Sequence, residues 1–76
     1  MNVHVRLFAG LREQAGTGTL DLDVADGATV GDVWPQLGLG DEPAGLLYAR
    51  NRTYVERSAA LTPGDEIAVI PPVSGG

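Results

Sequence analysis

Cysteine is absent from this chain of 76 residues, lysine is absent too, and histidine occurs once, as His4. Without a thiol there is no disulfide staple, no thiolate nucleophile, no cysteine-based zinc site and no thioester on a side chain. A lone histidine cannot build a histidine-rich metal centre, so no metal is expected. No run approaches the roughly 20 apolar residues of a membrane-spanning helix. The opening "MNVHVRLFAG" has neither a signal-peptide apolar region nor a small-residue cleavage site, and a cytoplasmic protein with no membrane partner is expected. All cations are arginine, at 6, 12, 50, 52 and 57, and the net charge is -5 with a pI near 4.4. That balance opposes binding to a phosphate backbone, so no nucleic-acid partner is expected. It suits a basic protein partner or plain solubility.

The parts of an enzyme are also missing. There is no G-x-x-x-x-G-K-[ST] and no strand-linked G-x-G-x-x-G. Ser58 and Ser74 have no histidine near them in sequence. Paired carboxylates occur at Asp21/Asp23, Asp41/Glu42 and Asp65/Glu66. All three pairs read as solvated faces, because nothing in the pattern builds a pocket that would separate an acid from a base. The chain is not expected to be catalytic alone.

What is present is a succession of short amphipathic elements. "NVHVRLF" (2–8) alternates, with Val3, Val5 and Leu7 on one face. "AGLREQAGTG" (9–18) marks a turn or short helical loop around Leu11–Ala15. "TLDLDV" (19–24) alternates again and suggests an antiparallel hairpin with the first strand. Thr29 has the place of a helix N-cap, with Asp32 three residues on as in a capping box. Val30, Val33, Trp34 and Leu37 supply an apolar stripe, so a helix is expected over 30–38. Pro35 makes it short or kinked, unless Asp32 is the cap and Pro35 lies in the first turn. "LLYAR" (46–50) and "TYVE" (53–56) flank Asn51-Arg52 as strand, tight turn, strand. Pro63-Gly64 centres a turn, and "EIAVI" (66–70) is the last strand, stopped by Pro71 and Pro72. The apolar first and last strands are placed side by side as the central parallel pair. The fold expected is therefore α+β: a β-grasp, ubiquitin-like mixed sheet of four to five strands with one helix packed across it. The domain is expected to span 1–72, with a flexible Gly-Gly tail at 73–76.

That tail, within "IPPVSGG", has two readings. A strand must end, and prolines end it without leaving an aggregating edge. That accounts for Pro71 and Pro72 but not for Gly75-Gly76. As a carrier arm, all six residues have a purpose. The prolines stiffen the exit, and Val73 to Gly76 reach about 13 Å at roughly 3.3 Å per residue. Paired glycines thread a slot too narrow for any other residue. The reactive group is then the carboxylate of Gly76. Out-of-phase apolar residues bear on this choice. Phe8 follows Leu7, Ile70 follows Val69, and Tyr54 precedes Val55. Phe8, Ile70, Tyr54 and Tyr48 are candidates for an exposed apolar patch near the root of the tail, the mark of a partner interface. The alternative is that a loop or helix end covers them.

"VRLFAGLREQAG", "DGATVGDV" and "LTPGDEIAVIPPVSGG", with the β-grasp order between them, resemble the MoaD branch of the MoaD/ThiS sulfur-carrier family, the branch of molybdopterin synthase small subunits. The resemblance spans nearly the whole chain, and "PPVSGG" after "GDEIAVI" is its most specific part. It implies that Gly76, with Gly75 before it, is adenylated by an ATP-consuming enzyme of the ubiquitin-activating type. The acyl-adenylate becomes a thiocarboxylate with sulfur from a persulfide donor. The tail then enters a large synthase subunit, in a heterotetramer, and sulfur passes to cyclic pyranopterin monophosphate to form the molybdopterin dithiolene. No bound cofactor is implied. Phe8, Tyr54 and Ile70 match hydrophobic interface positions of the family. Arg12 matches a recurrent position, with two readings, a residue that pairs across an interface and a plain surface arginine, and Pro71, Pro72, Val73 and Ser74 belong to the inserted segment. Pro35 and the brief "GLGDEPAG" depart from the family pattern. Carriers for thiazole or cysteine synthesis, ubiquitin-like modifiers, and a binding module with an inert tail share enough of this pattern to remain alternatives.

Overall fold

The computed structural model describes residues 1–72. Strand β1 (Asn2–Leu7) is followed by helix α1 (Ala9–Ala15) and strand β2 (Thr19–Asp23). A 3-10 turn (Val30–Asp32) then runs into helix α2 (Val33–Leu37). Strands β3 (Leu47–Arg50), β4 (Thr53–Val55) and β5 (Glu66–Ile70) complete the order. They form one five-stranded sheet, β2-β1-β5-β3-β4, with β1 and β5 parallel at its centre and the other pairs antiparallel. This is the β-grasp expected.

Period-two alternation decides the two faces. Val5 lies opposite Ile67, Leu7 opposite Val69, and Val69 opposite Tyr48, so these side chains share the inner face. Val3, Val5, Ile67 and Val69 are wholly buried there, against Leu11 of α1 and Val30, Val33 and Trp34 of the helical segment. Burying such aliphatic side chains is worth about 1.5–3 kcal/mol each.

Two helices are present where one was expected. Residues 9–15 close a full α-helix because Gly16 stops it in the left-handed region, φ +76°. Its N–H donates back to the carbonyls of Arg12 and Glu13, a glycine C-cap. The second helix is shorter than the 30–38 expected. The Asp32 carboxylate accepts the Thr29 N–H at 2.8 Å and the Thr29 hydroxyl at 3.1 Å, which winds Val30–Asp32 as a 3-10 turn. The α-helix proper begins at Val33, so Pro35 falls in its first turn, where a missing N–H costs nothing. Thr29 and Asp32 thus form the capping pair of the 3-10 turn, while Asp32 precedes α2 in helical conformation without a side-chain cap bond of its own to it. Trp34 is core, and its indole N–H donates to the Gly40 carbonyl at 2.8 Å, which anchors the loop after α2.

Asp65 departs from its reading as a solvated carboxylate. It is 5% exposed. Its oxygens accept the Thr62 N–H at 2.7 Å, the Thr62 hydroxyl at 2.9 Å and the Asn51 amide at 3.0 Å. The Asn51 side-chain oxygen in turn accepts the Glu66 N–H at 2.9 Å. One carboxylate thus ties the β3–β4 turn to the turn that launches β5. Burial alone would raise its pKa. The Thr62 and Asn51 donors, with the charge of Arg50 nearby, outweigh burial and hold it below the ordinary 3.8.

Candidate functional site

The outer face of the sheet divides into two ends. Across its middle, Arg6, Ala68, Ala49 and Tyr54 lie in one register row spanning four strands. Toward the end of β5 the next row brings Ile70 opposite Leu47, with Phe8 following β1 on the same side. Phe8, Leu47 and Tyr54 are 38%, 49% and 69% exposed. The two alanines between them keep the floor flat. Toward the start of β1 the same face is charged. His4 pairs with Asp21, Arg6 stands 3.6 Å from Glu66, and the N-terminal amine stands 3.3 Å from Asp23. The Arg6 guanidinium also stacks over the Phe8 ring at 5.6 Å, within cation–π range.

Of the residues expected in an apolar patch, Phe8 and Tyr54 are exposed and Ile70 is half-buried, and the structure differs from the expectation in two places. Tyr48 is not part of the patch. Pairing with Val69 and Val55 turns its ring to the inner face, where it is 4% exposed. Leu47 takes its place. Pairing of Leu47 with Ile70 turns Leu47 to the outer face, where it is exposed.

The patch lies where the chain leaves the sheet. Ile70 and Pro71 are half-buried and Pro72 is exposed. Pro72 rests against Gly45, where a Cβ would sit 3.3 Å from the proline Cβ; a φ of +83° also favours glycine there. Val73, Ser74, Gly75 and Gly76, expected to carry the reactive and inserted groups, lie outside the described residues. Arg12 is on the exposed side of α1, one turn beyond Phe8, with its guanidinium stem over Gly18.

Beside the patch, the loop before β3 is latched by an ion pair, Arg57 Nη1 to Glu42 Oε2 at 2.7 Å. The Tyr48 hydroxyl is buried beneath this region and has no hydrogen-bond partner. Burial first, and the Glu42 carboxylate second, push its pKa up to about 12, against an opposing effect of Arg57. Among the described residues no group of three or more His, Cys, Asp or Glu side chains could hold a metal ion. No helix of them is long and apolar enough to cross a membrane. What the described surface offers is an exposed apolar face beside the point where β5 ends at Pro71 and Pro72.

The model of the ThiS family matches residues 5–76. The molybdopterin synthase sulfur carrier subunit of Drosophila ananassae is 39% identical over 100% of this chain and 92% of its own. Small archaeal modifier protein 1 of Haloferax volcanii is 41% identical over 93% of this chain and 97% of its own. The crystal structure of SAMP1 from Haloferax volcanii superposes with a TM-score of 0.84 over 100% of both chains, at 34% identity.

Proposed function

The chain belongs to the ThiS family, and we propose that it is a sulfur carrier, the small subunit of a molybdopterin synthase, whose working group is the Gly76 carboxylate. The observation that carries this reading is where the tail begins. Ile70, Pro71 and Pro72 leave the sheet beside Phe8 and Leu47, so a partner seated on the apolar face also meets the exit of β5 at Pro71 and Pro72. The name of the Drosophila relative supports the same role.

The chemistry follows from the carboxylate. It is a poor electrophile, and adenylation by a ubiquitin-activating-type enzyme, at the expense of ATP, gives it AMP as a leaving group. The terminal sulfur of a persulfide donor displaces AMP to give an acyl disulfide, and a second thiol cleaves its S–S bond, releasing the thiocarboxylate and leaving donor and thiol joined as a disulfide. In a cytoplasmic heterotetramer, the large subunit takes the tail into its pocket and directs the sulfur to cyclic pyranopterin monophosphate. Two such transfers complete the dithiolene. This chain supplies reach, a backbone without Cβ atoms at 75 and 76, and a docking face. Catalytic groups acting on the pterin belong to the large subunit.

The test is an intact mass after incubation with the activating enzyme, ATP and the sulfur donor. Replacement of one oxygen by sulfur is expected, and deletion of Gly76 abolishes it while the circular dichroism spectrum is unchanged. An unaltered mass with a competent activating enzyme, or unimpaired loading of the truncated chain, refutes the assignment. The similarity to small archaeal modifier protein 1 favours a second reading, in which the activated carboxyl is captured by a lysine amine of a target protein. Conjugates that survive thiol treatment, with no thiocarboxylate formed, would establish it.

A further inference from the structure

A cleft of about 700 Å³ opens beside the β3–β4 hairpin, between Glu42–Tyr48 and Tyr54–Arg57. It continues the apolar face, since Leu47 and Tyr54 line both, and Gly45 on its wall touches Pro72 at the tail root. Its walls are mixed in a particular way. Leu47, 49% exposed, gives an aliphatic wall and the Tyr54 ring, 69% exposed, offers an open π face, while Val55 and Tyr48 line the cleft from the inner side of the sheet. Three charges stand on the rim, and two of them cancel. Arg57 is bound to Glu42 at 2.7 Å. It is held there because Gly31 has no Cβ; an added one would sit 2.9 Å from the Arg57 Nε. The third charge is Glu56, whose carboxylate makes no hydrogen bond or ion pair among the described residues.

We infer that this cleft receives a long basic side chain, an arginine, from the partner that docks on the apolar face. Its methylene stem lies against Leu47 while its guanidinium meets Tyr54 and Glu56. An apolar stem with a cationic head is the side chain that fills a slot of this composition without stranding a charge. The net charge of -5 steers such a partner toward the chain. The inference rests on the docking of a large subunit proposed above. It adds to that reading a charge requirement that an apolar face alone does not have.

The experiment is calorimetric titration with the large subunit of the same organism's molybdopterin synthase. At about 50 mM NaCl, Glu56→Gln weakens binding about threefold and Glu56→Lys about tenfold. Both deficits fall below about twofold at about 500 mM NaCl, where exposed charges are screened. Asp26→Lys makes the same charge change at an exposed turn outside the cleft and costs less than about twofold. Wild-type affinity in Glu56→Lys, or an equal loss in Asp26→Lys, overturns the arginine cleft and leaves the carrier reading standing. No binding by the wild-type chain overturns both.

Discussion

Replacing Asp65 with alanine removes one acceptor from three donors at once: the Thr62 N–H, the Thr62 hydroxyl and the Asn51 amide. A hydrogen bond to a charged acceptor contributes about 1.5–3 kcal/mol, and a buried donor left unsatisfied costs about 1–3 kcal/mol. The three losses do not add in full, because the Thr62 hydroxyl can turn to water. A net cost of about 2–4 kcal/mol is expected, against a total stability of roughly 4–11 kcal/mol for a domain of this length. The thermal midpoint should fall by about 10–25 °C. Asp65→Asn keeps one carbonyl oxygen and should recover part of the loss. The pH dependence identifies the cause. Folding lowers the Asp65 pKa below 3.8 and so favours the ionised form. The contribution is therefore complete above about pH 3.8 and drains away as pH falls through the folded value. Circular dichroism melts of wild type and Asp65→Ala from pH 7 downward should converge in acid. A variant within about 1 kcal/mol of wild type at neutral pH, or a gap that ignores pH, refutes the account.

Tyr48→Phe removes a buried hydroxyl that has no partner, so stability is expected to be unchanged or to rise by up to about 1 kcal/mol; a clear loss in urea titration would contradict this. In a Tyr54→Phe background the remaining tyrosine is Tyr48, and its phenolate absorbance should appear only near pH 12. Since folding raises that pKa, stability is full below about pH 10 and falls as the pH climbs to about 12. Arg52 occupies the left-handed region with φ +72°, and Arg52→Gly should stabilise by about 0.5–1 kcal/mol; a lower melting temperature would show that its side chain matters more than its backbone. Phe8→Asp places a charge on the exposed apolar face, and large-subunit binding should weaken by about 100-fold or more with little change in melting temperature. Retained affinity would move the interface elsewhere.

Local chemistry made most of the fold legible in the sequence. Alternation placed Val3, Val5, Leu7, Ile67 and Val69 on one face and Phe8, Tyr54 and Ile70 on the other. The spacing of Thr29 and Asp32 marked the helix start, and Pro71-Pro72 marked the end of β5. Each signal lies within a few residues of what it specifies, so one stretch of chain carries it. The Gly75-Gly76 motif was legible in the same way, from composition at one place.

Asp65, Tyr48, Leu47 and the Glu42–Arg57 latch were not. The Asp65 donors include Asn51, 14 residues away, and Glu42 and Arg57 are 15 apart. Leu47 is exposed and Tyr48 buried because β3 pairs with β5 in one register and not in the register one residue away. That choice belongs to the assembled sheet, where a slip by one residue reverses every side chain. Sequence by itself determined the strands, the helix start at Thr29 and Asp32, and the Gly75-Gly76 motif of this protein. Tertiary structure decided which carboxylate is buried and which apolar residues stand exposed beside the exit of β5, because both depend on partners that only folding brings together.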